Sequence, residues 1–163
     1  MGIVPCHWVV GADGEKSRVR KWAGLDGVVR ELLRFGFRRH YRIEPWADCM
    51  EIYWGHACQM YVTPIGPREV CVAVISRDSH LRLDRALAEF SELHARLSQA
   101  ATISVERGAV SASRRLRRIF SGNLILLGDA SGSVDAITGE GLRLSFEQAI
   151  ELANALSCGD LKM

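Results

Sequence analysis

Two stretches of this chain place glycines and an aspartate directly after a short apolar run. The first is GADG at residues 11–14, after WVV, and the second is GDASGSVDAITGEG at residues 128–141, after LILL. Glycine lets a ligand approach the backbone, and a helix that starts behind it offers unpaired N–H groups and its positive dipole end. Asp13 and Asp129 can accept hydrogen bonds from sugar hydroxyls. The pattern predicts binding of an anionic, hydroxyl-rich ligand.

The second stretch ends in GEGL at residues 139–142, directly before an apolar-striped run. The first amides of the predicted closing helix are therefore sterically open, and such amides stabilise an electron-rich ring or an oxyanion. After the first stretch, Lys16, Arg18 and Arg20 could offset phosphate charge. One junction alone is typical of an ordinary tight turn, whereas two at opposite ends of the chain are far more specific.

The composition is that of a globular protein. The 163 residues are 48% apolar and 25% charged, with a formal charge of +2, which is too small to indicate nucleic-acid binding. We see no signal peptide and no apolar run near the roughly 18 residues of a membrane span, so we expect a cytoplasmic protein without an integral membrane segment. The five cysteines and five histidines lack ligand spacing, which predicts no metal site.

An antiparallel sheet is predicted for the middle of the chain. Strand-like runs cover residues 35–43, 49–54, 57–63 and 69–76, with short turns between them. The first run alternates apolar and polar residues, and Arg39 is the one break in that alternation.

Five further segments are assigned from their sequence patterns. Residues 26–34 have helical spacing, residues 83–101 form the clearest helix, and residues 102–107 suggest a strand. Residues 108–118, with their RRLRR run, are interpreted as a solvated connection rather than a membrane or nucleic-acid contact. The closing helix is predicted over residues 141–156.

The two junctions resemble a known pair of motifs. GADGEKSRVR is similar to the DG motif, and GDASGSVDAITGEG to the GD motif, of the flavoprotein monooxygenase superfamily with the para-hydroxybenzoate hydroxylase fold. The ITGEGL ending is most similar to the geranylgeranyl reductase-like and halogenase-like branches. The RRHY, EIYW and YVTPIG segments also look like the middle region of this group, so the resemblance spans almost the whole chain.

The resemblance implies FAD as cofactor and NAD(P)H as reductant. It implies that Asp129 bonds the ribityl or ribose region, that Asp13 lies near the pyrophosphate, and that the closing helix faces the isoalloxazine pyrimidine. The implied cofactor-binding residues are Gly11, Asp13, Gly14, Ser17, Arg20, Gly128, Asp129, Ala130, Gly139, Glu140, Gly141 and Leu142.

The sheet over residues 35–76 is implied to roof the pocket of a small-molecule substrate. The candidate pocket residues on its strands are Arg39, Tyr53, Trp54 and Tyr61. No catalytic acid or base is assigned, because the flavin itself often supplies the reactive species in this superfamily.

The chain departs from the family pattern in three ways. It has no GxGxxG unit for the ADP half of FAD, Ala136 stands where the GD loop usually has proline, and only ten residues precede the DG motif. We therefore expect the C-terminal part of a flavoprotein. The expected fold class is α+β, with an antiparallel substrate-roof sheet and a packed helix plus incomplete strands and a helix of an α/β FAD-binding domain. The expected domains are 1–34 (FAD, DG motif), 35–118 (substrate sheet) and 119–163 (FAD, GD motif).

The predicted function is that of an FAD-dependent oxidoreductase fragment, a monooxygenase of the hydroxylase type that acts on a small organic substrate. Two alternatives stay open: a geranylgeranyl reductase-like fragment, and a non-catalytic remnant that binds a partner or an apolar ligand. Without the ADP site we expect weak FAD affinity and little activity of the isolated chain. Uncovered strands predict pairing with a separate N-terminal half or with a second copy.

Overall fold

The computed structural model describes residues 2–158 and divides into two compact units. The motif unit comprises the chain up to Leu32 and from Ala112 onward, and the sheet unit comprises Leu33–Ser111. The assignment of an FAD domain and a substrate domain to particular stretches of the chain stays a prediction.

Ten strands and four helices form the described chain, together with two short 3-10 turns. The strands are β1 (Val9–Gly11), β2 (Val28–Arg42), β3 (Glu51–Trp54), β4 (Cys58–Gly66), β5 (Glu69–Ser76), β6 (Ala101–Thr102), β7 (Arg107–Leu116), β8 (Phe120–Ser121), β9 (Leu124–Leu126) and β10 (Gly132–Ser133). The helices are α1 (Arg18–Trp22), α2 (Leu83–Leu87), α3 (Ser91–Ser98) and α4 (Gly141–Cys158). The 3-10 turns are Gly128–Ala130 and Ala136–Thr138.

In the motif unit, β1 and β9 are parallel neighbours. Val9 lies opposite Leu124, and Gly11 lies opposite Leu126. Because parallel strands end at the same edge, both glycine-aspartate junctions leave the sheet side by side. The buried apolar cluster of this unit is small and consists of Leu25, Leu116, Leu126 and Ala130.

The sheet unit confirms the expected antiparallel sheet. β2, β5, β4 and β3 pair in that order, with register pairs such as Arg38 opposite Ala73 and Tyr61 opposite Ala73. Side chains alternate between the two faces of such a sheet. One face, the covered face, packs against α2 and α3 through a buried cluster that includes Met60 and Val72. The other face, the open face, carries the side chains that alternate with these along each strand.

Two segments that were expected to be a helix and a connection are strands. Residues 26–34 mostly belong to β2, and residues 108–118 mostly belong to β7. The backbone N–H of Arg117 donates to the carbonyl of Gly27 at 2.8 Å, at the end of this pair of neighbouring strands. Both expectations were wrong because hydrogen bonds from a distant segment decided the conformation, and local periodicity does not report them.

The expected helix over residues 83–101 is broken into α2 and α3. Phe90 is not helical, with φ −119° and ψ 77°, and its ring meets Tyr53 edge-on at 6.0 Å between centroids. The chain therefore interrupts the helix to pack this ring against the core. The strand expected over residues 102–107 is reduced to β6, whose two residues pair with the end of β2.

Candidate functional site

At the first junction, Asp13 organises the start of α1. Its Oδ2 accepts from the backbone N–H groups of Arg18 at 2.7 Å and Val19 at 3.2 Å, and its Oδ1 accepts from the Ser17 hydroxyl. Ser17 in turn caps the helix by accepting from the N–H of Arg20 at 2.9 Å. The hydrogen bond from Ser17, and then those from the two backbone amides, lower the pKa of Asp13. Both predicted residues thus hold the helix start in place.

Arg20 connects the two junctions from inside the protein. It is 2% exposed, its Nε donates to Asp26 at 2.7 Å, and its terminal nitrogens donate to the carbonyls of Glu15 at 2.7 Å and Ala130 at 3.1 Å. These bonds explain the positions of Arg20 and Ala130 without a ligand. The sequence grouped Arg20 with its exposed basic neighbours because burial is a tertiary property.

Close packing explains why residue 11 is glycine. A Cβ at this position would lie 2.7 Å from Cγ1 of Val19 and 2.9 Å from Cδ2 of Leu126, so α1 packs directly on the end of β1. The carbonyl of Gly11 accepts from the N–H of Leu127 at 2.9 Å. Gly14 has a φ of 79°, a left-handed conformation that favours glycine.

The second junction is a 3-10 turn tied to α4. Gly128 has a φ of 58°, and its N–H donates to Oε1 of Gln148 at 2.9 Å, while its carbonyl accepts from the Ser131 hydroxyl at 2.8 Å. Asp129 is exposed, and no donor within residues 2–158 bonds its carboxylate. This carboxylate is therefore available to a ligand.

The start of α4 differs from the other junctions. Gly139 has a φ of 66°, but Gly141 is not left-handed, and a Cβ there would meet no atom within 4 Å. Nothing in the described fold requires glycine at position 141. Of the other residues predicted here, Glu140 forms an ion pair with Arg143, and Leu142 is 75% exposed.

A cleft of about 350 Å³ lies in the motif unit beside this helix start. Three of the predicted residues, Gly128, Asp129 and Gly141, line it. Asp13, Gly14 and Ser17 do not line it, and they hold the neighbouring junction. The cleft thus offers an open helix N-terminus and an unpaired carboxylate within one concave surface.

Sequence reasoning missed several residues of this cleft: Arg114, Arg115, Gly132, Ser145 and Gln148. Gly132 has a φ of 126°, and a Cβ there would lie 2.7 Å from the carbonyl oxygen of Arg114, so β7 and β10 approach closely at this point. Arg114 bonds Glu31 at 2.6 Å and 2.9 Å. Ser131 and Ser133 also line the cleft on either side of Gly132, and this SGS triplet was the available signal in the sequence.

The structure separates the four candidate substrate residues. Arg39 lies on the covered face, where it pairs with Asp84 at 2.7 Å and Glu106 at 3.2 Å. Tyr53 also lies on the covered face, where its ring packs edge-on against Phe90 and the buried cluster. The strand alternation places the other two, Trp54 and Tyr61, on the open face.

Residues 2–158 contain no group of three His, Cys, Asp or Glu side chains that could hold a metal ion. In the same part of the chain, no helix combines the length and apolarity that crossing a membrane requires.

The paired strand-end junctions, the cleft and the antiparallel sheet define a flavoprotein fold of the monooxygenase superfamily. The chain belongs to the FAD binding domain family, whose model matches residues 3–159. FAD is the cofactor of that family, and the resemblance to FAD-dependent oxidoreductases is confirmed.

Two similar proteins align with most of this chain. It is 30% identical over 149 residues to the digeranylgeranylglycerophospholipid reductase of Thermoplasma volcanium, an alignment that covers 85% of this chain and 38% of that protein. The structure of pqsL, a probable FAD-dependent monooxygenase from Pseudomonas aeruginosa, is 28% identical with a TM-score of 0.68, covering 93% of this chain and 46% of the other.

A third comparison shows the fold alone. The flavin-dependent brominase Bmp2 is 18% identical with a TM-score of 0.71, and the match covers 95% of this chain and 44% of the brominase. The chain spans about 38% of the length of the first curated relatives that it matches.

Proposed function

We propose that this chain provides the flavin-ring side and the substrate-side sheet of an FAD-dependent oxidoreductase that takes electrons from NAD(P)H. The observation that carries the proposal is Gly141. This glycine lines the cleft at the start of α4, although neither its φ nor its surroundings require glycine. A ligand that must approach the helix N-terminus closely explains it.

The residues of the cleft would divide the cofactor between them. The open amides at the start of α4 would face the electron-rich pyrimidine end of the isoalloxazine, which the helix dipole stabilises. Asp129 would accept hydrogen bonds from ribityl or ribose hydroxyls. Asp13 and Gly14, which lie outside the cleft at the neighbouring junction, would border the pyrophosphate. When bound, FAD supplies the redox chemistry, and these side chains and amides position it and set its electrostatic environment.

Two reactions suit such a site. Hydroxylation of a small organic substrate fits the likeness to pqsL, described as a probable FAD-dependent monooxygenase. Reduction of a double bond is the second candidate, and the 30% identity to a digeranylgeranylglycerophospholipid reductase favours it. We place either reaction in the cytoplasm, since all five cysteines are free, as thiols are in a reducing compartment.

We propose that further chain covers two apolar surfaces of the motif unit. Leu142, Phe146 and Ile150 follow one another at helical spacing on α4 and are 75%, 67% and 60% exposed. Val9 and Val10 of β1 are each about two-fifths exposed. Apolar surface at a strand edge and along a helix favours association, and a separate N-terminal half fits it better than a second copy, because the named relatives are much longer.

Titration of the ¹⁵N-labelled chain with FMN tests the flavin proposal, since FMN carries the isoalloxazine without the ADP half. We expect amide shifts at residues 128–134 and 141–145. Gly141→Val keeps the fold but fills the approach to the helix, so it should weaken FMN binding about tenfold or more. Gly27→Val is the matched control, because Gly27 is also not left-handed, lies outside the cleft and leaves room for a Cβ.

Equal binding by the two variants, or shifts confined to other residues, would contradict the flavin site. No shift with FMN or FAD would favour the non-catalytic remnant.

A further inference from the structure

Strand β3 forms a free edge of the sheet unit. It pairs with β4 on one side, and on the other side no strand of residues 2–158 pairs with it. A free edge presents unpaired backbone N–H and C=O groups, to which another chain can add a strand. Proteins usually protect such an edge with lysine, proline, a bulge or a covering segment. The residues of β3 therefore decide whether this edge is protected or open.

The backbone groups of Ile52 and Trp54 point away from β4. At the hairpin end, the N–H of Gly55 donates to a carbonyl of β4 at 2.9 Å. In an antiparallel ladder, hydrogen-bonded and non-bonded pairs alternate. Tyr53 and Glu51, which lie two and four residues before Gly55, therefore also bond to β4. The N–H and C=O groups of Ile52 and Trp54 are then directed to the free edge.

The opposite side of the sheet gives the same alternation independently. The carbonyl of His40 on β2 accepts from the N–H of Ile103 at 3.0 Å, and the N–H of His40 donates to the Ser104 hydroxyl at 2.9 Å. His40 therefore does not bond to β5. The register across β5 and β4 then assigns Glu51 to the β4 side and Ile52 to the outer edge.

Within the described chain, this edge lacks the usual protection. The sequence at residues 50–54 is MEIYW, without lysine or proline. Met50, Ile52 and Trp54 are uncharged and are 51%, 42% and 73% exposed. The single charge, on Glu51, is turned to the covered face, where its Oε2 accepts from the Tyr53 hydroxyl at 3.0 Å. The outward positions thus form an uncharged apolar row beside open backbone groups.

This edge is complementary to itself. A twofold axis through Ile52, normal to the sheet, places Ile52 opposite Ile52 of a second copy and Met50 opposite Trp54. These positions all direct their backbone groups outward, and their side chains stay on the open face in both copies, so the apolar row continues across the axis. At each end, Asp48 of one copy comes near His56 of the other, so an acid meets a histidine rather than a like charge.

We propose that two copies of this chain pair antiparallel through β3, with the twofold axis at Ile52, and so join their sheets into one. Each hydrogen-bonded pair of this ladder exchanges both N–H···O bonds. Such an isologous contact closes on itself and leaves the β3 edge of neither copy free. The ladder is short, so we expect a weak dimer with a Kd on the order of 100 µM. The proposal goes beyond the flavin function and does not depend on it.

NMR of the ¹⁵N-labelled chain at increasing concentration tests this proposal. Between about 20 µM and about 1 mM, the amides of residues 50–55 should shift in a saturable way, and those of Ile52 and Trp54 should become protected from hydrogen exchange. A mixture of labelled and unlabelled chain should show an intermolecular Hα–Hα contact between Glu51 and Tyr53. These two residues form the non-bonded pair of the proposed register, in which the chains approach most closely.

Ile52→Lys should weaken the dimer about tenfold or more, because it places two like charges directly opposite each other. Ile65→Lys is the matched control. Ile65 is 47% exposed and lies on β4 of the same sheet, but beyond the residues of β4 that pair with β3. It should leave the Kd of the dimer unchanged.

Ile52→Pro supplies an arm that leaves each copy folded. Proline removes an N–H that points outward, so the ladder between β3 and β4 keeps its hydrogen bonds. The dimer loses its central hydrogen-bonded pair, and its Kd should rise about tenfold or more. The thermal midpoint of a dilute sample should stay near that of the parent chain.

Three results would each overturn the dimer: no concentration-dependent shift up to about 1 mM, equal behaviour of Ile52→Lys and Ile65→Lys, or intermolecular contacts confined to other residues. Association through the apolar surfaces of the motif unit would be such a result, since the shifts would then fall on α4 or β1. None of these readouts involves FMN, so a failure of the flavin proposal would leave them unaffected.

Discussion

The two units of this chain are stabilised in different ways. Within residues 2–158, the buried apolar cluster of the sheet unit has thirteen residues, whereas that of the motif unit has four. The motif unit relies on polar contacts, above all those of Arg20, Asp13 and Gln148. Under the proposed function this unit presents backbone amides to a ligand, and segments of that kind cannot be buried in a core, so hydrogen bonds replace apolar packing there.

The glycines of the two units differ in whether the fold requires them. Gly11 and Gly132 are required, because a Cβ at either would lie 2.7 Å from a neighbouring atom. Gly141 in the motif unit and Gly36 in the sheet unit are not required by any neighbour or by φ. The first pair supports the fold, whereas packing and backbone conformation do not account for the second pair.

The largest effect is expected in the core of the sheet unit. Leu83 is fully buried, at 0% exposed, and Leu83→Ala should lower the free energy of unfolding by about 3 kcal/mol. Leu142→Ala on the exposed face of α4 should change it by less than about 0.5 kcal/mol. Urea denaturation measures both. A similar cost for the two variants would remove the assigned difference between core and exposed face.

Arg20→Met should cost about 2 kcal/mol, because it leaves the carbonyls of Glu15 and Ala130 without their donor. Lys21→Met changes an exposed neighbour and should lie within about 0.5 kcal/mol of the parent chain. Urea denaturation, followed through amide exchange in the motif unit, measures the stability of both variants. Parity between the variants would show that polar contacts do not stabilise this unit.

Two glycines of the motif unit, Gly11 and Gly141, should differ by a smaller change in stability. Gly11→Ala should destabilise by about 1–2 kcal/mol, because Val19 and Leu126 must move. Gly141→Ala should be neutral or stabilising by up to about 1 kcal/mol, since alanine limits the unfolded chain and clashes with nothing. Thermal unfolding compares them directly. A costly Gly141→Ala would mean that the fold, not a ligand, needs this glycine.

The smallest effect concerns pH in the sheet unit. The hydrogen bond from Arg39 lowers the pKa of Asp84 below its ordinary 3.8. A lowered folded pKa gives stability that is present above the unfolded value and lost as the pH falls through the folded one.

Asp84→Asn should therefore cost less than about 1 kcal/mol at neutral pH, and the difference from the parent should vanish at low pH. Unfolding by urea across the acid range measures this, with Asp48→Asn as an exposed control. A stability difference between Asp84→Asn and the parent that persists at low pH would exclude the ion pair as its cause.

Local pattern was sufficient for much of this molecule. The apolar run of β5 predicted a strand, and the resemblance of the glycine-aspartate junctions predicted the flavoprotein family that the FAD binding domain match shows. Both depend on residues close in the chain, where steric and hydrogen-bonding rules act directly. The sequence also marked Arg39 as exceptional, although it could not name the acids that pair with it.

The amino-acid sequence alone determined the antiparallel sheet and the turn-and-helix form of the two motifs, because each follows from neighbouring residues, and the resemblance of those motifs to a known family implied the cofactor class. Tertiary structure alone decided that β2 begins at Val28, that Arg20 is buried between the junctions, and that Arg38 rather than Arg39 lies on the open face. These outcomes depend on partners far along the chain, and no local period encodes which distant strand or carboxylate will be there.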